Sequence, residues 1–408
     1  MPRPLVLCVL SACLLLAGCR PGRPAVGPAE RLDIPAGPGS GQPHLHADED
    51  GHVWLSWIEP VDTTRHALRY AAFDGAQWSD PATAAVGADW FVNWADVPSL
   101  RPLPDGRLAV HYLESGGPDA YAYDVRIAQT NGEGVWQPAV TPHRDGTETE
   151  HGFVSLLPWD GRLLAVWLDG RAMQASADGH GSGAMTLRSA LLDPSGRVEQ
   201  ETLLDERTCE CCPTNAVRTG DGVLVAYRDR SENEIRNIAL VRYDGERWSA
   251  PYPLHDDGWQ IHGCPVNGPA LAADGSRVAA AWFTAPDNAP RVQVAFSEDG
   301  GRRFGAPIVV DDDGPIGRVD VVLLDDGSAL VSWMGRDAEG TALRLRRVYA
   351  DGSAGAPVSV AALSRSRGTG MPRMAHADGR LYLAWVDPGD APDASRVRMA
   401  RLAVDDVQ

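Results

Sequence analysis

The chain has 408 residues, with 37 basic against 55 acidic side chains and a formal net charge of −18. All 37 basic residues are arginine, which excludes Schiff-base, P-loop and every other lysine-dependent chemistry, and the acidic balance excludes a nucleic-acid partner whose phosphates the protein would track. At 44% hydrophobic and 23% charged, the composition is that of a folded protein of one large domain or two average ones.

In chain order, Arg3 precedes an apolar run from Leu5 to Leu16, too short to cross a bilayer as a helix, and then Leu16-Ala17-Gly18-Cys19. This layout reads as a signal peptide over 1–18 with a small-residue cleavage site. Leu-Ala-Gly-Cys resembles the bacterial lipobox, in which the cysteine becomes the acylated first residue of the mature protein. The resemblance implies lipidation at Cys19 and a membrane partner through that lipid. Arg20 in place of aspartate implies the outer membrane of the cell envelope. The Pro/Gly-rich stretch 19–29 reads as a tether, and a single domain is expected over 30–408.

An Asp-Gly pair followed by an apolar run and an aromatic recurs seven times, from Asp50 to Trp57, Asp105 to Tyr112, Asp160 to Trp167, Asp221 to Tyr227, Asp274 to Trp282, Asp326 to Trp333 and Asp378 to Trp385. Successive aspartates are 55, 55, 61, 53, 52 and 52 residues apart, which is a repeat period. Within each unit, Asp-Gly tolerates positive φ and returns an apolar run such as Leu163 to Trp167 antiparallel to the strand before it. An alternating strand such as Ala67 to Ala71 follows, then a second turn at Asp74-Gly75, Asn131-Gly132, Asp244-Gly245 or Asp299-Gly300, opening a short fourth strand at Trp78, Trp136, Trp248 or Phe304. No sustained helical periodicity appears. The expected fold class is all-β, a β-propeller of seven four-stranded blades, with a six-bladed ring as the alternative.

The seventh unit ends after a third strand at Arg396 to Val404, with no room before Gln408 for a fourth. Glu30 to Ala36 sits where a fourth strand falls in the repeat. It is expected to pair that open edge and close the ring.

Ser297-Glu298-Asp299-Gly300-Gly301-Arg302-Arg303-Phe304 fills, through Ser297, Asp299, Gly301 and Phe304, the pattern of the Asp-box and so resembles the sialidase-like propellers. The resemblance implies the fold over roughly 30 to 405, with the box as a folding device remote from the active site. Sialidase chemistry further implies an arginine triad for the sugar carboxylate, an Arg-Ile-Pro strand, an aspartate acid/base and a Tyr/Glu nucleophile. The nearest counterpart, Arg31-Leu32-Asp33-Ile34-Pro35, is interrupted and in the wrong strand, and no catalytic set can be placed. Arg318 and Arg373, opening the sixth and seventh inner strands, and Arg228 after the fourth are candidates for facing the axis.

Of seven cysteines, Cys8 and Cys13 leave with the signal and Cys19 is the anchor; Cys209, Cys211, Cys212 and Cys264 remain. Cys212-Pro213-Thr214-Asn215 and Cys264-Pro265-Val266-Asn267 share a pattern at equivalent entries to neighbouring inner strands. Asp96, Glu150 and His151 occupy the same offset elsewhere, and His262 lies two residues from Cys264, so thiols, imidazole and carboxylates are expected around one mouth. One outcome is two disulfides, joining Cys264 to Cys211 or Cys212 and Cys209 to the one left over. The other is a copper or zinc site, although adjacent cysteines do not readily bind one ion. No other cofactor is indicated. The remaining histidines, among them His44, His46, His52, His66, His111 and His180, show no ligand spacing.

Beside the cysteines, Arg228, Asp229, Arg230, Glu234, Arg236 and Trp259 offer paired charges and an aromatic platform suited to a polar, carbohydrate ligand, or alternatively an internal ion-pair network. The expectation is therefore a lipid-anchored propeller that binds such a ligand at its upper mouth, against a metal-binding envelope protein or an interaction scaffold.

Overall fold

In a computed structural model of the chain, residues 29–173, 183–389 and 394–408 are described. The signal segment, Cys19, most of the tether and His180 lie outside them. The described residues form strands and three short 3-10 turns. The strands assemble as seven antiparallel sheets in a ring, so the count is seven blades rather than six.

The innermost strands are Gly41–Ala47, Ser99–Pro102, His151–Trp159, Asn215–Thr219, Ala270–Asp274, Gly317–Leu323 and Arg373–Ala377, each packed on the next around the axis. Six sheets have four strands. The second has three, and its fourth position is held only by bridges from Ile127 to Val140 and from Thr130 to Trp136.

Each blade begins with the hairpin expected from Asp-Gly, as in the pairing of Ala377 with Arg380 across Asp378-Gly379. The second turns also fall where expected, with bridges from Phe73 to Trp78 and Tyr243 to Trp248. The repeated aromatics Trp57, Trp167, Tyr227, Trp282 and Trp333 are fully buried between sheets. Each buried polar edge meets a carboxylate: Trp57 Nε1 donates to Glu59 at 2.8 Å, Trp167 to Asp169 at 2.8 Å and Trp282 to Asp257 at 2.7 Å, and the Tyr227 hydroxyl donates to Asp205. Without these acceptors an indole N–H at the blade interface would be an uncompensated buried donor.

The Ser297–Phe304 turn of the fifth blade links its third and fourth strands. Ser297 Oγ accepts the Gly301 amide at 2.9 Å, Asp299 Oδ1 accepts the Arg303 amide at 2.9 Å, and Phe304 packs on the core shared with the fourth blade. Gly301 has φ +83°, and a Cβ there would collide with the Leu224 side chain.

The last blade closes with the N-terminal segment. Glu30, Arg31 and Leu32 pair with Arg401, Ala400 and Met399. The strand is shorter than the Glu30 to Ala36 expected: pairing ends at Leu32, and Pro35 beyond it has no amide with which to resume the ladder. Ile34 and Ala36 nevertheless pack against the same core.

Candidate functional site

The connections between blades, and the loops between second and third strands, share one face of the ring, the upper one. The segment entering the fourth blade leaves Thr208, turns at Glu210–Cys211 and reaches Asn215. That turn brings Cys209 Sγ to 3.5 Å from Cys212 Sγ and 3.8 Å from Cys211 Sγ. Cys264, from the connection to the fifth blade, touches Cys211. The expected disulfides are not formed, and all four residues are free thiols. The short turn curls three sulfurs toward one point instead of presenting them to partners across the blade. His262, expected beside them, is exposed and is not among the residues whose ligand atoms converge there.

The sulfurs sit against positive charge. Arg236 Nη1 is 3.1 Å from Cys209 Sγ, and the Asn267 amide donates to Cys212 Sγ at 3.4 Å. Hydrogen bonds from the Cys211 and Cys212 thiols and the Arg236 guanidinium hold the Cys209 thiol well below its usual range.

The arginines read as ligand contacts beside this corner are engaged internally. Arg228 is 1% exposed and donates to the carbonyls of Asn267, Arg236 and Phe283 at 2.9, 2.6 and 2.7 Å. Its guanidinium lies 4.9 Å from the ring of Trp259, itself 5% exposed. Arg236 joins Glu210 at 2.9 Å and Glu234 at 2.8 Å, while Arg230 joins the same two glutamates. Asp229 is half-buried and accepts the Arg230 amide; burial pushes its carboxyl up to about 6. Buried to 1%, 3% and 5% exposure, Arg228, Arg236 and Trp259 brace the long fourth blade rather than face solvent.

Asp96 and Glu150 stand next to this corner. Asp96 Oδ2 accepts the Phe153 amide at 2.7 Å, tying the second blade to the third, and burial pushes its carboxyl up to about 8, with Glu150 adding repulsion. Glu150 is raised to about 7 by burial, opposed by the Tyr123 hydroxyl that donates to it at 2.6 Å. The same inter-blade device recurs where Asn215 accepts the Leu271 amide, Asn267 the Arg318 amide and Asp320 the Met374 amide.

Arg318 and Arg373 lie at the inner strand starts, as their positions implied. Arg318 donates one hydrogen bond, to the Gly370 carbonyl at 2.7 Å, and lies 4.5 Å from the ring of Trp94. The exposed Arg367 covers the same indole at 6.0 Å. Burial lowers the Arg318 guanidinium to about 10, with Arg367 adding like charge. Arg373 sits deeper, beside Asp320 and Arg101, its Nε without a partner among the described residues. Arg101 reaches His46 Nδ1 at 2.7 Å and the Leu156 carbonyl at 3.1 Å. Burial lowers His46 and His111 to about 3 and His44 well below its usual value. The axis thus carries two arginines, one aspartate and uncharged imidazoles. Arg101 and Trp94 had no motif to mark them; only the ring brings them to Arg373 and Arg318.

A second group, marked in the sequence only through His151, lies at the entry to the third blade, where His151 joins His143 and Asp145 rather than the cysteines. His143 and His151 stack in parallel at 3.7 Å, with Asp145 Oδ1 3.2 Å from His143 Nδ1 and Asp145 Oδ2 3.3 Å from His151 Nε2. Asp169, bonded to Arg171 at 2.7 Å, completes the cluster. A cavity of about 450 Å³ opens on the opposite, lower face among the hairpins of the second and third blades, lined by Arg107, Trp159 and Arg218.

No known family model and no curated protein matches the chain. Solved structures do. Polysaccharide lyase Uly1 aligns over 90% of this chain and 90% of its own, with a TM-score of 0.56 and 9% identity. An α-L-arabinofuranosidase from Fusarium graminearum, solved with an iminosugar inhibitor, aligns over 93% and 98%, with a TM-score of 0.52 and 13% identity. NanB sialidase from Streptococcus pneumoniae aligns over 93% and 71%, with a TM-score of 0.48 and 13% identity. At such identities the likeness to Uly1 and to the arabinofuranosidase establishes a shared fold and no more.

Proposed function

We propose that the upper mouth binds a polar ligand of the carbohydrate class carrying a carboxylate or other anionic group. The observation that carries this reading is Arg318, half-buried at the mouth, its guanidinium 4.5 Å from the centre of the Trp94 ring and with a single side-chain hydrogen bond of its own. A guanidinium held by stacking has its remaining donors pre-organised for a bidentate anion. The Trp94 indole beside it offers the apolar face on which sugar rings pack. Arg373 and Arg101 add positive charge below, and Arg367 adds it at the rim. That polysaccharide lyase Uly1 and the Fusarium arabinofuranosidase carry carbohydrate chemistry on this fold supports the ligand class. In this reading the Leu16-Ala17-Gly18-Cys19 box tethers the propeller by lipid to the outer membrane, with the mouth open to envelope saccharides.

The test is calorimetric titration of the mature protein with a panel of neutral and uronic-acid oligosaccharides. Arg318→Ala and Trp94→Ala are each expected to weaken binding of an acidic oligosaccharide by roughly tenfold or more, the effect of losing a charged hydrogen bond or a stacking face. Binding that both variants leave intact, or no binding across the panel, would refute the assignment.

A further inference from the structure

The four cysteines are not used by the ligand reading and are not bridged. We infer that Cys209, Cys211 and Cys212 hold one thiophilic d10 metal ion at the edge of the upper mouth, Cu(I) on these three or Zn(II) with Cys264 as the fourth ligand.

The spacing of the sulfurs is the first argument. A tetrahedral S4 site with metal–sulfur bonds of about 2.3 Å has sulfur–sulfur edges of about 3.8 Å. Cys209 Sγ stands 3.5 Å from Cys212 Sγ and 3.8 Å from Cys211 Sγ, and the three sulfurs all lie within 4.8 Å of one another. Cys264 approaches Cys211 from a different connection, outside the group of three mutually close sulfurs. The turn at Glu210–Cys211 is what lets neighbouring cysteines converge, against the expectation from sequence that they would diverge.

The charges around the sulfurs are the second argument. Arg228 is buried, and all three of its hydrogen bonds go to neutral carbonyls. A buried guanidinium requires a compensating anion nearby. Arg228 Nε donates to the carbonyl of Asn267, the residue whose amide donates to Cys212 Sγ. Arg236 places a second guanidinium on Cys209, and the Asn267 amide donates to Cys212. Four thiolates around Zn(II), or three around Cu(I), leave a net double negative charge; Arg228 offsets part of it, while Arg236 also serves Glu210 and Glu234. N–H donors directed at the sulfurs are the outer partners that favour thiolate, the metal-binding form.

Burial is the third. Cys209 and Cys212 are buried, Cys211 is half-buried and Cys264 is exposed. The site is therefore closed on three sides, with one ligand at the surface through which an ion can enter.

The experiment uses the mature protein purified under reductant, desalted without oxygen and offered Zn(II) or Cu(I) alone. One ion per chain is expected by elemental analysis, with the thiols protected from alkylation until a chelator is added. The two arms separate the ions, because four-coordinate Zn(II) protects Cys264 whereas three-coordinate Cu(I) on Cys209, Cys211 and Cys212 leaves it alkylated. Co(II) in place of Zn(II) should give the visible bands of a tetrahedral thiolate site. Cys264→Ser, at an exposed position that does not endanger folding, should abolish those bands. It should weaken Zn(II) by more than the roughly 10–100-fold typical of losing an outer partner. Four thiols alkylated at equal rates with and without metal would overturn the proposal, as would protein whose cysteines are all disulfide-bonded as isolated. Because the readouts are metal content and thiol protection, either result leaves the saccharide test unaffected.

Discussion

The ring closes through three residue pairs, and cutting them should separate tether from fold. A chain beginning at residue 35 loses Glu30, Arg31 and Leu32 from the edge of the seventh blade, where they pair with Arg401, Ala400 and Met399. The pairing contributes on the order of two to three backbone hydrogen bonds at about 1 kcal/mol net each. Leu32 and Ile34 pack, partly buried, against the core that holds Ala375, Tyr382 and Met399. Half of the value for complete burial adds roughly 1 kcal/mol for each side chain. The solvent-exposed pair of Glu30 with Arg401 at 2.7 Å is left out of this sum. The loss is then roughly 4 to 5 kcal/mol, or on the order of 10 °C in a thermal melt at about 2 °C per kcal/mol. The bared strand Arg396–Ala403 also becomes an edge available to other chains. Differential scanning calorimetry with light scattering on chains beginning at residues 29 and 35 should show a lower, aggregating transition only for the second. Identical melts would refute closure by this strand.

A buried acid and a tight turn yield two further predictions. Asp96 is 2% exposed with its carboxyl raised to about 8 by burial. The folded protein keeps that proton between about pH 4 and 8, where the unfolded chain has lost it, so stability from this group is full below about pH 4 and declines to about pH 8, by at most about 1.4 kcal/mol per unit. Asp96→Asn, which keeps the acceptor for Phe153, should flatten urea-denaturation midpoints across that window and gain most at its alkaline end; parallel profiles for the two proteins would contradict the buried neutral acid. Gly301→Ala should destabilise by roughly 1–3 kcal/mol, since φ is +83° and the new Cβ meets Leu224, and an unchanged melt would show that the turn does not clamp the fourth blade to the fifth.

What was legible in the sequence was whatever repeats. Asp-Gly at seven places with an aromatic behind it announces a hairpin whose buried ring fills the space between neighbouring sheets, and each blade must solve that problem locally. The short seventh unit was legible for the same reason, because a missing strand in a closed ring implies a donor elsewhere. The fourth position of the second blade was less so: Trp136 holds a bridge but no continuous strand, and an isolated Asn131-Gly132 turn does not announce how far pairing continues.

The site obeys different rules, because its residues come from the connections, where each blade departs from the repeat. Arg228 and Trp259 looked like a binding pair, an arginine with an aromatic and acids nearby. What sequence does not carry is the destination of the donors, and three carbonyls from two blades claim them. Arg101 and Trp94 had no pattern, yet the ring sets them beside Arg373 and Arg318, which are more than two hundred residues away. The cysteines fall between these cases. Their number and the repeated Cys-Pro-x-Asn pattern marked the corner. Whether the sulfurs would bond in pairs or face a common centre depended on the turn at Glu210, which spacing does not encode. Once Arg228 is seen to be buried among neutral carbonyls, its role and the sulfurs' role become one problem. The charge that Arg228 needs is the charge that a thiolate site would supply, so removing the thiolates should cost stability as well as metal.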